Sequence, residues 1–235
     1  MARRDTERAD RILDAAADLL TRWGYRKVTV DEVARRADVG KGTVYLHWRS
    51  RDALLFAVLL REGVATFDEL ARGMRADPGE VLLHRYVRAV FLQAMRRPLL
   101  AAIYTRDAEV LGRLIATDAS RGVVHSKITL STEYLALLAE HGLLRADLPV
   151  ERIAYGIGTA VLGHLSIDPM LPPELAMTDE VKADLLAEMV RRSFEPAEAP
   201  NERAPGEVAP KITGIVEQLR DTYLEHIYGS TNGEE

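Results

Sequence analysis

An all-α fold, with a small three-helix head ahead of a larger helical bundle, is what three features of this 235-residue sequence predict. Apolar residues recur at intervals of three and four, as in Ile12, Leu13, Ala16, Ala17 and Leu20, and the period-two alternation of strands is nearly absent. Breakers fall at helix-length intervals: Gly24, Asp38-Val39-Gly40, Asp77-Pro78-Gly79, Pro98, His141-Gly142 and Pro149. Apolar residues make up 47% of the chain, which allows a sizeable core and argues against global disorder.

The elements follow in order. Residues 6–23 read as one amphipathic helix, with Asp5 or Thr6 as its cap and Gly24 at its end. Thr29 and Glu32 form a capping box, and Val28 with Val33 a hydrophobic staple, so a short helix starts at residue 30 and stops before Asp38-Val39-Gly40. A second short helix covers about 41–48. Ser50 then caps a long helix that opens "RDALLFAVLL" and reaches about residue 75. Further helices are expected near 79–96, 119–141, 150–167 and 179–194, with an irregular or short helical piece over 99–116. "EPAEAPNERAPGEVAP" is rich in Pro, Glu and Ala and reads as a flexible spacer before a last amphipathic helix at 211–228. The division is therefore a head at 1–50, a bundle at 51–195, a linker at 196–210 and a C-terminal helix and tail at 211–235.

Charge is distributed unevenly. Residues 1–51 hold 12 Lys and Arg against 8 Asp and Glu, whereas the rest hold 19 against 28. A basic head on an acidic body suits a head that meets nucleic acid. There are no cysteines, so disulfides and thiolate metal sites are excluded. The start "MARRDTERAD" leads into no apolar run of signal-peptide type, and no stretch nears the roughly 18 apolar residues of a membrane span. A cytoplasmic protein with no membrane partner is expected.

The stretch "VGKGTVYLHW" at 39–48 carries the chemistry. A phosphate-cradling P-loop needs a glycine five residues before the Gly-Lys pair, Ser or Thr after the lysine, and a preceding strand. Here those positions hold Arg35 and Gly42, behind a capped helix, so that reading fails. A helix-turn-helix fits: two short helices around a three-residue turn, the second able to lie in a major groove. Val33, Ala37, Val39 and Val44 fall on the shared buried face, with Ala34 small at the close approach. Val44 and Trp48 point inward, which leaves Lys41, Gly42, Tyr45 and Leu46 outward. Lys41 suits a guanine O6/N7 edge, Leu46 a thymine methyl, and Gly42 a close approach of backbone to bases. Thr43, Tyr45 and His47 carry hydrogen-bonding groups that suit phosphate oxygens.

The run "RILDAAADLLTRWGYRKVTVDEVARRADVGKGTVYLHWRSRDALL" at 11–55 resembles the N-terminal domain of TetR-family transcriptional regulators. The resemblance implies that Lys41–His47 is the recognition helix, with Lys41, Gly42 and Leu46 facing bases and Thr43, Tyr45 and His47 the backbone. It also implies phosphate contacts from Thr29 and Arg51, and a minor-groove arm from Arg3 and Arg4. Trp48 is assigned to packing. Such regulators are homodimers of palindromic operators on double-stranded DNA, joined by the last two body helices, here 151–167 and 179–194. In "AYGIGTAVLGHL", Gly156, Gly158 and Gly163 share a helix with Ala160. Close helix approach, across a dimer or within one subunit, offsets the cost of roughly 1 kcal/mol per glycine. The resemblance further implies a small-molecule effector, hydrophobic or aromatic, among the central helices. Tyr86, Phe91, Met95, Tyr104, Tyr134 and His164 are the candidates to line its site.

Other functions find little support. The six histidines, at 47, 84, 125, 141, 164 and 226, show no metal-ligand spacing, and no G-x-S-x-G elbow occurs. Neither an enzyme nor a cofactor or metal site is expected. A non-specific architectural DNA binder would be basic throughout, which this chain is not. A repressor is the reading taken, with an activator or a ligand-independent regulator of the same fold as its alternative.

Overall fold

The computed structural model describes residues 2–101, 108–198 and 201–229, and among these there are helices and no strand. The head comprises α1 (Ala2–Trp23), α2 (Val30–Arg36) and α3 (Lys41–His47). The long α4 (Arg51–Ala76) runs from the head into the body, which continues with α5 (Leu83–Met95), α6 (Ala108–Ile115) and α7 (Asp118–Glu140). Helices α8 (Val150–Ser166), α9 (Asp179–Phe194) and α10 (Ala204–Tyr228) complete it.

Helix α4 organises the molecule. Residues Leu54 to Leu60 are buried without a break, so α4 has no solvent face over these two turns. A helix that is apolar all round must be covered all round. Helix α1 covers one side, tied by the Arg61–Asp14 ion pair at 2.8 Å, and α10 covers the other. Helices α5 and α9 pack closely side by side, and α7 lies between α8 and α10. The N-terminus of α5 lacks a capping side chain of its own. Glu195, beyond the end of α9, supplies the acceptor, taking the His84 backbone N–H at 2.8 Å and lying 2.8–2.9 Å from its Nδ1. A carboxylate at a helix N-terminus satisfies free N–H groups and complements the dipole.

Two sequence expectations are corrected here. The arm assigned to Arg3 and Arg4 is helical, because α1 begins at Ala2 rather than at residue 6. The spacer is shorter than 196–210, because α10 starts at Ala204, with a proline in its first turn and Pro210 inside it. Proline in a first turn removes no helical hydrogen bond. The bond that Pro210 forgoes is outweighed by ten buried α10 side chains, including Val208, Ile212, Val216 and Leu219. Packing overrides propensity here.

Candidate nucleic-acid interface and ligand cavity

The helix-turn-helix is built by local chemistry. Thr29 Oγ1 accepts the Glu32 N–H at 3.3 Å, and Glu32 Oε2 accepts the Thr29 N–H at 3.1 Å, the reciprocal box read from sequence. The turn's left-handed residue is Asp38, at φ 54°, while Gly40 is extended and caps α3. Asp tolerates that region better than most residues, which explains how the chain turns without a glycine at that point. The Val39 N–H closes the turn onto Ala34 O at 3.0 Å.

On α3 the inward face is Val44, with Trp48 beyond its end, and both are buried. Lys41, Gly42 and Tyr45 are exposed, Thr43 is partly so, and Leu46 is 78% exposed. The Lys41 ammonium pairs with Asp31 at 2.8 Å, on the solvent side of the hairpin. The Asp31 carboxylate beside it, through that hydrogen bond, holds the Lys41 amine above its ordinary range, so it is cationic at neutral pH. A Cβ added to Gly42 would meet nothing within 4 Å, so no contact inside the molecule calls for glycine there.

Two expected phosphate contacts are placed elsewhere. His47 is only 4% exposed, and its ring lies 5.3 Å from that of Trp48. Its burial in the head takes the ring away from the DNA-facing surface, and desolvation pushes its pKa down, which favours the neutral imidazole. Arg51 donates from Nε to Val28 O at 2.6 Å and from its terminal nitrogen to Tyr25 O. Its guanidinium also lies 4.2 Å from the centre of the Tyr25 ring. It fastens the 25–28 turn to α4. Thr29 is exposed, though its hydroxyl is engaged in the cap.

The body holds a cavity of about 400 Å³ between α5, α7, α8 and α10. Leu83, Val87, Val90, Leu130, Ile157, Val161 and Leu165 make its walls apolar, with Ile215, Val216 and Leu219 of α10 on one side. Exposed Lys127, Ser131, Gly158 and Leu162 form its rim between α7 and α8. Of the six residues proposed for this site, Tyr86 and Tyr134 line it, their rings 4.8 Å apart. Burial pushes both phenols up, Tyr134 well above its ordinary range, and Tyr134 donates to Val81 O at 3.0 Å. Phe91, Met95 and His164 lie off the lining. Phe91 is fully buried and meets His164 edge-on at 6.5 Å, and the His164 Nδ1 lies 2.9 Å from Ala160 O in its own helix. Tyr104 falls outside the described residues. The aliphatic walls were missed because an apolar helix face looks the same in sequence whether it meets a neighbour or a void.

A third surface lies on α8 and α9. Val181, Leu185 and Met189, four residues apart along α9, are each about half exposed, as is Leu162 on α8, and Tyr155 is 79% exposed. The glycines of α8 divide accordingly. At Gly156 a Cβ would sit 2.5 Å from Phe194 Cζ, a close approach within the subunit, whereas Gly158 and Gly163 meet nothing.

Residues 12–58 match the family model described as bacterial regulatory proteins, tetR family. The head is a TetR-family domain. Over 103 residues the chain is 38% identical to the HTH-type transcriptional repressor KstR of Rhodococcus jostii, covering 43% of this chain and 47% of that one. It is 32% identical over 107 residues to the HTH-type transcriptional regulator YhgD of Bacillus subtilis, covering 44% of this chain and 55% of that one. The chain thus spans about half the length of these curated relatives. Across head and body together, the fold is similar to that of the fatty acid degradation regulator FadR from Bacillus halodurans, with a TM-score of 0.60 and 19% identity over 77% of this chain and 93% of that chain. The shared fold therefore extends beyond the head into the helical body.

Proposed function

We propose that this TetR-like chain is a homodimeric transcriptional repressor that reads a palindromic operator through α3 and releases it when a small hydrophobic or aromatic ligand enters the body cavity. The observation that carries the reading is the outward face of α3. Lys41, Gly42, Tyr45 and Leu46 are exposed together on a basic head, and a bare glycine and a bare leucine there have no use inside the molecule. Lys41 and Leu46 take base edges, Gly42 lets the backbone approach, and Thr43 and Tyr45 hold phosphates. The start of α2 at Thr29 adds a phosphate contact through the backbone N–H groups of Val30 and Asp31, since the Thr29 N–H and hydroxyl are held by Glu32.

The apolar α8–α9 face supports the dimer, since contiguous exposed apolar surface marks an interaction site. A two-fold dimer presents two heads to two half-sites separated by turns of the double helix. The cavity supports the ligand: apolar walls with Lys127, Ser131 and two phenols suit a mostly hydrophobic molecule with one polar end.

Fluorescence anisotropy on duplex DNA from upstream of the chain's own gene, against a scrambled duplex across a salt series, tests the reading. Preference for the native duplex is expected, and equal binding to both would reduce it to backbone contact alone. Leu185→Glu on α9 should convert the dimer to monomer in sedimentation, and an unchanged dimer would move the interface elsewhere. Transcription in vitro from a promoter bearing the operator should fall on adding the protein. A rise would replace repression with activation.

A further inference from the structure

The C-terminal helix α10 touches the cavity and the head at once. Ile215, Val216 and Leu219 form one wall of the cavity. One turn further on, the Tyr223 ring lies on Gly63 of α4, where a Cβ would come within 2.7 Å of Cε2, and meets Phe67 edge-on at 5.1 Å. The His226 ring meets Phe56 edge-on at 5.5 Å. At the helix end the Tyr228 hydroxyl donates to the Asp10 carboxylate of α1 at 2.6 Å. Burial, then that hydrogen bond, push the Tyr228 phenol up to about 12, so it remains a donor at any physiological pH.

We propose that α10 is a strap that carries ligand occupancy of the cavity to the DNA-reading head, an inference that rests on the ligand-responsive reading above. The route is short and stiff. From Leu219 to Tyr228 is roughly 14 Å of helix at about 1.5 Å per residue. A ligand that presses on Ile215, Val216 and Leu219 displaces a rod whose far end holds α1. The seat at Gly63 leaves no slack for a small shift to be absorbed, and closely packed contacts shift between discrete arrangements rather than deforming smoothly. Other links also join head to body, among them the continuous α4 and Arg113 of α6, whose guanidinium lies 5.5 Å from the Tyr25 ring centre. The experiment must separate the strap from them.

The chain contains no cysteine, so Ser131→Cys places a single thiol at the cavity rim. Alkylation with N-phenylmaleimide then puts an aromatic group at the cavity without the natural effector, and mass spectrometry confirms one addition. Amide hydrogen exchange and operator affinity are read on the full chain before and after alkylation, in that variant and with Tyr228→Phe added. Alkylation should raise exchange in residues 220–229 by about threefold or more, as local opening does when packing is lost. It should lower operator affinity about tenfold, a common size for coupling between sites. With Tyr228→Phe the alkylated and unalkylated proteins should bind the operator within about threefold of each other, because the strap no longer holds α1. Loss of operator affinity to the same extent in both backgrounds, with exchange at 220–229 unchanged, overturns the strap. It leaves ligand release intact through α4 or α6. Faster exchange at 220–229 with operator affinity unchanged also overturns the strap, because filling the cavity then loosens α10 without reaching the DNA-reading head, and it counts against ligand release as well. An unmodified protein that binds no operator counts against the functional reading alone, and the exchange arm still decides whether filling the cavity loosens the strap.

Discussion

Helices α3 and α10 are both amphipathic, yet they use their side chains in opposite ways. Helix α3 buries two of its seven residues, Val44 and His47. Helix α10 buries ten of its 25 and adds a polar contact to α1 at its end. A short helix with so little buried area is held by its neighbours, and its free face is available to a partner. A long helix so fully committed belongs to the architecture. Exposed side chains on a well-supported helix therefore point to recognition, and buried ones to stability and transmission.

The largest effect that would break this contrast is removal of α10. Truncation after Glu195 uncovers Leu54–Leu60 and forfeits ten buried side chains, at about 1.5–3 kcal/mol for each large apolar one, which rivals the 5–15 kcal/mol of a typical domain. The truncated chain should lose its cooperative thermal transition, and a retained transition would make α10 an accessory. Gly63→Ala comes next, because its new methyl collides with the Tyr223 ring. It should destabilise the protein by about 1–3 kcal/mol in urea unfolding. Substitutions on α3 should behave in the reverse manner. Tyr45→Ala should leave stability within about 0.5 kcal/mol while weakening DNA binding across sequences. Lys41→Ala should relax preference at one operator position by about 1–3 kcal/mol in competition binding, and unchanged preferences would refute direct readout by that lysine. Gly42→Ala sharpens the comparison further. In free protein it should raise stability by up to about 1 kcal/mol, since alanine favours helix and has open space there, yet operator affinity should fall.

The smallest expected effect is on pH. Burial lowers the pKa of His226 on α10 and of His47 on α3, so folding disfavours their protonation. Below the unfolded pKa of about 6.5 the unfolded chain binds more protons than the folded one. Stability is thus full above that pH and declines as pH falls toward the folded values. Thermal midpoints at pH 7.5 and 5.5 should differ in that sense, and His226→Gln should reduce the difference.

The head was legible in sequence because its signals are local. A capping box, a staple and a three-residue turn each lie within a few residues, and the outward set Lys41, Gly42, Tyr45 and Leu46 follows from helical period alone. His47 and Arg51 escaped that logic. Residue type suggested phosphate for both, but Arg51 answers to carbonyls 23 and 26 residues away. In the body, Tyr86 and Tyr134 were found as polar-tipped aromatics on the central helices. Phe91 was not distinguishable from them, because core and cavity wall share one composition. The start of α10 was misplaced because its prolines and charges read as spacer. Only the apolar α4 run awaiting cover hinted otherwise, and that cover comes from more than 140 residues later.

The uninterrupted burial of Leu54–Leu60 also bears on modularity. The family match ends at residue 58, in the middle of that run, so the head is not a cassette that can be cut out at its own edge. Grafted onto another body, it would arrive with its back open to water and to other chains. In this molecule the portable unit is discontinuous: the first four helices together with the last.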